Sequence, residues 1–296
     1  MTSSAAFTTT VHPFPSPTAH ACAYELGLPS AKNAFVFIGG LGDGPHTVPY
    51  PRAIAKALEE SAELGFSVFE FRLTSSFSGF GFARLADDVA DISALVKYLR
   101  GIGKEKIVLM GHSTGCQDIM EYTSPSYTEN APVDALILQA PVADRGALEL
   151  EMGKDGLDKS IQIARDLIAS GKAHERMPIE HVIKWFGPIS VHRWYALAAT
   201  DGEDNYFSPD LPKEVAGPYW QRINKPLLIL QSGEDEYIPP SVEKVKLIDE
   251  WKAMCRSGVA SDLSGCIPGA NHRVEQPNSE KWLTKTVVEF LKTSLK

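Results

Sequence analysis

Residues 107–122 read Ile-Val-Leu-Met-Gly-His-Ser-Thr-Gly-Cys-Gln-Asp-Ile-Met-Glu-Tyr, and the fold is decided here. The apolar run 107–110 predicts a buried strand, and 116–122 is compatible with a helix. Between them lies Gly111-His112-Ser113-Thr114-Gly115, the only G-x-S-x-G in the chain. A serine between strand and helix sits on a tight turn, which the small residues at ±2 allow the backbone to close. Its Oγ is then exposed at the carboxyl end of the strand. The adjacent helix N-terminus favours a developing negative charge.

Working outward, short apolar runs alternate with longer helical patterns, the signature of a parallel sheet covered by helices. Strands are predicted at 34–38, 66–73, 107–110, 135–142 and 227–230. Two further short strands, 7–11 and 21–26, separated by a Pro-rich turn, would extend one edge antiparallel. Leu85, Val89, Ile92, Val96 and Leu99 form one apolar stripe at helical spacing. Residues 240–255 and 279–295 read as two more helices. The interval 144–223 has helical stretches but no strong strand pattern, and about eighty residues exceed an ordinary loop. We read it as a helical cap over the strand ends, dividing a core of 1–143 and 224–296. Its aromatics, Trp185, Trp194, Tyr195, Tyr206, Phe207, Tyr219 and Trp220, are expected mostly to form the cap's own core.

The 296 residues suit one large α/β domain, and 44% hydrophobic content is ample for a core. A net charge of −8, with no basic tract, argues against nucleic-acid binding. No apolar run approaches the roughly 20 residues that span a bilayer. Residues 1–14 lack both a basic start and an apolar signal core, and the final Ser294-Leu295-Lys296 is not the peroxisomal order. Cys22, Cys116, Cys255 and Cys266 show neither a C-x-x-C pair nor the density of a disulfide scaffold. The expectation is a soluble cytoplasmic protein with free thiols and no membrane partner; the oligomeric state is open.

A serine alone is a poor nucleophile and needs a base. In this architecture the partners follow in the order serine, acid, histidine. The strand at 227–230 runs into Gln231-Ser232-Gly233-Glu234-Asp235-Glu236, with Pro239 beyond. Glu234 and Glu236 compete for the orienting role, and Asp235 is preferred for its spacing to Pro239 and its shorter side chain. Of the eight histidines, His12 and His20 lie in the N-terminal arm and His46 precedes the acid. His174, His181 and His192 fall in the cap, and His112 should point away from Ser113 on a sharp turn. His272, in a Gly-containing loop before the last helix, remains as general base.

An oxyanion needs donors. One is the backbone N–H of Thr114; the other is expected from Leu41, in the loop Gly39-Gly40-Leu41-Gly42-Asp43-Gly44. A phosphate loop is the rival reading of these glycines, but no G-x-x-x-x-G-K-[ST] or G-x-G-x-x-G is present. No H-x-x-x-H or H-E-x-x-H spacing suggests a metal, and no cofactor is expected.

From about residue 34 onward these features resemble the α/β-hydrolase superfamily: a mostly parallel sheet flanked by helices, with an inserted helical cap. The wording Gly-Gly-Leu-Gly-Asp-Gly with Val48-Pro49-Tyr50, then residues 111–118, is similar to a mainly fungal family first catalogued as a domain of unknown function. That family includes an esterase of fusarinine-type siderophores. The resemblance implies a cytosolic serine esterase that cleaves a hydroxamate siderophore and aids iron release, the iron belonging to the substrate. Asp201, Glu203, Asp204 and Asp210 beside Tyr206 and Phe207, together with Asp43, would offer an acidic, aromatic mouth to amine-bearing units. A solvated acidic loop is the plainer alternative. A general carboxylesterase, lipase or acyltransferase, and a non-catalytic binding protein of the same fold, are the competing functions.

Overall fold

The computed structural model describes residues 6–28 and 30–295; residues 1–5 and 296, which bear on the leader and terminal-tripeptide readings, lie outside them. Eight strands among the described residues form one sheet: β1 (Thr10–Pro13), β2 (Cys22–Gly27), β3 (Asn33–Ile38), β4 (Phe66–Phe71), β5 (Ile107–His112), β6 (Ala135–Gln139), β7 (Leu227–Ser232) and β8 (Gly265–Ile267). Their spatial order is β1-β2-β4-β3-β5-β6-β7-β8. Pairing is antiparallel from β1 through β2 to β4 and parallel everywhere else. The carboxyl ends of β3, β5, β6, β7 and β8 therefore share one rim.

Strand β3 shows how the sheet is held. Phe35 and Phe37 face one side, while Ala34, Val36 and Ile38 face the other, all buried. The first face packs on α1 (Tyr50–Glu60) and α9 (Pro277–Ser294) through Ile54, Leu58, Leu283, Val287 and Phe290. The second packs on α2 (Leu85–Gly101), α3 (Thr114–Tyr122) and α8 (Lys244–Met254). The five-residue stripe on α2 is wholly buried there.

Several boundaries differ from expectation. The first edge strand occupies 10–13 rather than 7–11. Strand β6 stops at Gln139 because Ala140 turns to φ 49° and Pro141 has no N–H for a ladder. Helix α1, whose buried Tyr50, Ile54, Ala55 and Leu58 repeat at helical spacing, and the three-residue β8, too short to show a pattern, are not among the expected elements.

Between β6 and β7 lie α4 (Asp144–Met152), α5 (Lys154–Ala169), α6 (Val191–Ala198) and α7 (Lys213–Gln221). Its apolar side chains divide into two groups. Leu148, Leu157, Phe186, Trp194 and Leu197 form a cluster of their own. Tyr206, Phe207, Ala216, Trp220 and Ile223 instead join the core beneath the sheet.

Candidate active site

Ser113 stands at the turn between β5 and α3 with φ 54° and ψ −123°, a conformation that a non-glycine residue adopts only under constraint. The constraint is visible on both sides. A Cβ on Gly111 would lie 2.2 Å from the Gly115 carbonyl oxygen, and one on Gly115 would lie 2.4 Å from that of Ile38. The Ser113 N–H donates to the Gln139 carbonyl at 3.0 Å, and its carbonyl accepts from the Cys116 N–H at 2.8 Å. Strand, turn and helix are thereby closed around the serine.

His272 follows β8, and Asp235 follows β7. The His272 Nδ1–H donates to Asp235 Oδ2 at 2.8 Å, and both side chains are buried. Asp235 Oδ1 accepts the Tyr237 N–H at 3.0 Å. The two competing acids are placed otherwise. Glu236 accepts the backbone N–H of His272 at 2.9 Å, while Glu234 is exposed and its N–H donates to the Ala270 carbonyl. With Nδ1 occupied by the carboxylate, Nε2 of His272 is the nitrogen left for exchange. His272 and Ser113 line one cavity of about 140 Å³. Ser113 and His272 are not hydrogen-bonded to each other.

Leu41, Thr114 and Asp43 line the same cavity. Thr114 is the first residue of α3, so its N–H has no partner within the helix. Gly40 presses against the serine: a Cβ there would stand 2.7 Å from that of Ser113. The loop containing Leu41 thus reaches Ser113 because its backbone can approach without side chains. Among the described residues, neither the Leu41 nor the Thr114 N–H is engaged by another protein group.

His112 is closer to the site than its neighbour's sharp turn implied. Its ring packs on that of His272 with centroids 4.8 Å apart, and it too lines the cavity. Gln139 fixes its tautomer. The Gln139 amide nitrogen donates to Ser232 Oγ at 3.1 Å, so Gln139 Oε1 accepts from the Tyr50 hydroxyl at 2.9 Å and from His112 Nδ1–H at 2.6 Å. Burial, with His272 alongside, pushes the His112 imidazole down to about 3, so it is neutral at physiological pH.

The remaining candidates are distributed differently from the mouth suggested by their clustering in sequence. Asp201 is exposed and accepts from the Tyr195 hydroxyl at 2.7 Å. Asp204 is buried in an ion pair with Arg193 at 2.6 Å. Tyr206 bonds Glu121 and packs on Tyr219, and Phe207 packs on Trp220 and Trp251. None of these four lines the cavity with Ser113, because the chain after α6 returns to the sheet and uses its aromatics as core. The cap wall is instead built by Asp144, Leu148, Glu151, Ile183, Trp185 and Phe186. Trp185 is 61% exposed, the signal of a side chain not absorbed by packing, but exposure is invisible in sequence. Asp144 is half-buried, but desolvation of its carboxyl, with Asp204 adding to it, pushes it up to about 7, and it accepts from the Gln117 amide at 2.7 Å. Among the described residues no group of three or more His, Cys, Asp or Glu is arranged to hold a metal ion. Among the described residues, no helix is long and apolar enough to cross a membrane.

A mostly parallel sheet flanked by helices, with a serine on a strained strand–helix turn and a histidine–carboxylate pair at the same rim, defines an α/β-hydrolase fold. Within that class the chain belongs to the family described as a protein of unknown function, DUF1749, whose model matches residues 1–292. It is 33% identical over 285 residues to a UPF0613 protein of Schizosaccharomyces pombe, covering 88% of each chain. It is 30% identical over 331 residues to the fusarinine C esterase SidJ of Aspergillus fumigatus, covering 92% of each. Among solved structures it is similar to the siderophore hydrolase EstB of Aspergillus fumigatus, with a TM-score of 0.81, 26% identity and 99% of each chain covered.

Proposed function

We propose that the protein is a serine esterase that hydrolyses ester bonds of a hydroxamate siderophore of the fusarinine type within the cytoplasm, helping to release iron. The observation that carries the hydrolytic part is the buried Asp235–His272 hydrogen bond at the wall of the cavity that Ser113 also lines. The substrate class is supported by the relationship to SidJ and by the fold shared with EstB.

In this reading Nε2 of His272 accepts the Ser113 proton as Oγ attacks the ester carbonyl. Asp235 holds the imidazole in the Nδ1–H tautomer and stabilises its charged form. The Leu41 and Thr114 N–H groups donate to the oxyanion of the tetrahedral intermediate. Collapse expels the alcohol, which takes its proton from His272. Water, deprotonated by the same imidazole, then attacks the acyl-enzyme, and a carboxylic acid leaves. Iron takes no part in these steps. An ester-linked chelator cut into shorter ligands simply holds the metal less tightly.

The test is incubation of purified protein with ferric and iron-free fusarinine esters beside simple p-nitrophenyl esters, read by mass spectrometry. Cleavage of the fusarinine esters, abolished by Ser113→Ala in a folded protein, is the expected result. Hydrolysis of the simple esters alone would leave a general carboxylesterase. Failure of a fluorophosphonate probe to label Ser113 would remove the nucleophile and the mechanism with it.

A further inference from the structure

The loop expected to supply the oxyanion donor and the loop carrying the expected base come from opposite ends of the chain. One side-chain pair joins them. Arg273, the residue after His272, donates from Nη1 to Asp43 Oδ1 at 3.1 Å and from Nη2 to the Thr47 carbonyl at 2.6 Å. Asp43 is 8% exposed, and both oxygens of its carboxylate are engaged. Oδ1 also accepts the Thr47 hydroxyl at 2.8 Å, and Oδ2 accepts the Gly40 N–H at 3.0 Å. The loop is pinned from the far side as well. The Asp43 N–H donates to the Gly40 carbonyl at 3.0 Å, and its carbonyl accepts the Phe77 N–H at 3.1 Å.

We infer that Asp43 and Arg273 are positioning residues: their ion pair locks the Gly40–Leu41 backbone to the His272 loop and so aims the Leu41 N–H at the oxyanion. The inference rests on the hydrolytic reading above and gives Asp43 a role other than contact with substrate amines. Its logic is geometric. By engaging the Gly40 N–H, Asp43 removes that donor from the cavity and leaves the next N–H, that of Leu41, unengaged beside Ser113. Gly39 and Gly40 have no side chains to hold the turn: a Cβ on Gly39 would lie 2.8 Å from that of Asp43, so the carboxylate side chain stacks directly on the backbone it restrains. Without the tie, a glycine-rich segment regains conformational freedom. The oxyanion donor must then be ordered during the reaction instead of before it.

A neutral isostere separates this role from bulk stability. An asparagine can present its one carbonyl oxygen either to the Gly40 N–H or to Arg273 and Thr47, not to both sets. Arg273→Gln cuts the tie from the other, more exposed partner, and Arg273→Lys retains charge but not the two-pronged contact. For Asp43→Asn and Arg273→Gln we expect kcat on a p-nitrophenyl ester to fall by about 10–10²-fold, part of the loss of one hole donor, with KM nearly unchanged. Affinity for an aryl trifluoromethyl ketone, which forms a tetrahedral adduct on the serine, should fall in parallel. Arg273→Lys should sit between them and the wild type, and the double variant should lose little more than either single one.

Wild-type labelling by a fluorophosphonate is measured first. Absence of labelling there sinks the hydrolytic reading itself. If the wild type labels, but folded variants keep kcat and ketone affinity within about threefold of it, the tie is refuted while the hydrolytic reading stands. Should Asp43→Asn not fold, the two Arg273 variants, altered at the partly exposed partner, decide alone.

Discussion

Asp235 Oδ2 lies 2.8 Å from Nδ1 of His272, although the two residues stand 37 positions apart and on loops after different strands. Glu236, the next residue, reaches the same histidine but takes only its backbone N–H. Adjacent acids thus divide the work, one holding the ring and the other the chain. Asp235→Asn should lower kcat by about 10³–10⁴-fold, because the amide neither stabilises an imidazolium nor enforces the Nδ1–H tautomer. Glu236→Gln preserves an acceptor for the backbone and should cost less than about tenfold. Steady-state kinetics of the two variants on one ester would show the contrast, and equal losses would contradict the division.

The turn carrying Ser113 has no room for a methyl group on its flanks. Gly115→Ala would drive a Cβ against the backbone oxygens of Ile38 and Gly39, at 2.4 and 2.7 Å, and neither can move without displacing β3. We expect a loss on the order of 2–4 kcal/mol in urea unfolding together with lost activity. A stability within about 0.5 kcal/mol of wild type would show that the turn is looser than its dihedrals imply.

Desolvation raises the Asp144 carboxyl from 3.8 to about 7, so the folded chain binds a proton there that the unfolded chain has released. Between these values the folded state holds more protons, and stability contributed by this group falls as pH rises through the window. Asp144→Asn, which keeps an acceptor for Gln117, should therefore raise stability at pH 8 by roughly 2 kcal/mol and change it little at pH 4. Thermal unfolding across that range gives the answer; an equal shift at both ends would mean that protonation is not the cause.

Trp185 lines the cavity yet remains 61% exposed. Its removal should spare the fold, with an unfolding midpoint within about 2 °C of wild type. Trp185→Ala should raise KM about threefold or more on a bulky ester with kcat little changed, the pattern of lost uniform binding. A drop in kcat at constant KM would place the indole in contact with the reacting centre instead.

The parts of the molecule legible in sequence are those whose physics is local. An apolar strand, a five-residue turn with small flanks and a following helix occupy consecutive positions, so Ser113 could be placed before any tertiary contact was known. His272 emerged because order along the chain left it standing, although β8, the strand that delivers it, is only Gly265–Ile267 and has too few residues to show a pattern. Helix α1 carries a helical spacing in Ile54, Ala55 and Leu58, but its start coincides with Val48-Pro49-Tyr50-Pro51, where two prolines punctuate the chain and obscure the pattern. The cap was least legible. Tyr206 and Phe207 look in sequence much like Trp185 and Phe186; only the return of the chain toward α8 makes the first pair core and the second pair wall. Arg273 carries no sequence signal for a related reason, since its partner lies 230 residues away.

The split of the inserted segment into two apolar groups has an evolutionary consequence. Leu148, Ile183 and Phe186 belong to the group that borders the cavity and packs upon itself, whereas Phe207 and Trp220 are anchored with Trp251 under the sheet. Energetic effects of changes at sites without shared neighbours add independently. Descendants of this gene can therefore remodel the ceiling over the serine and adopt new esters, while the floor that keeps the chain foldable is inherited untouched.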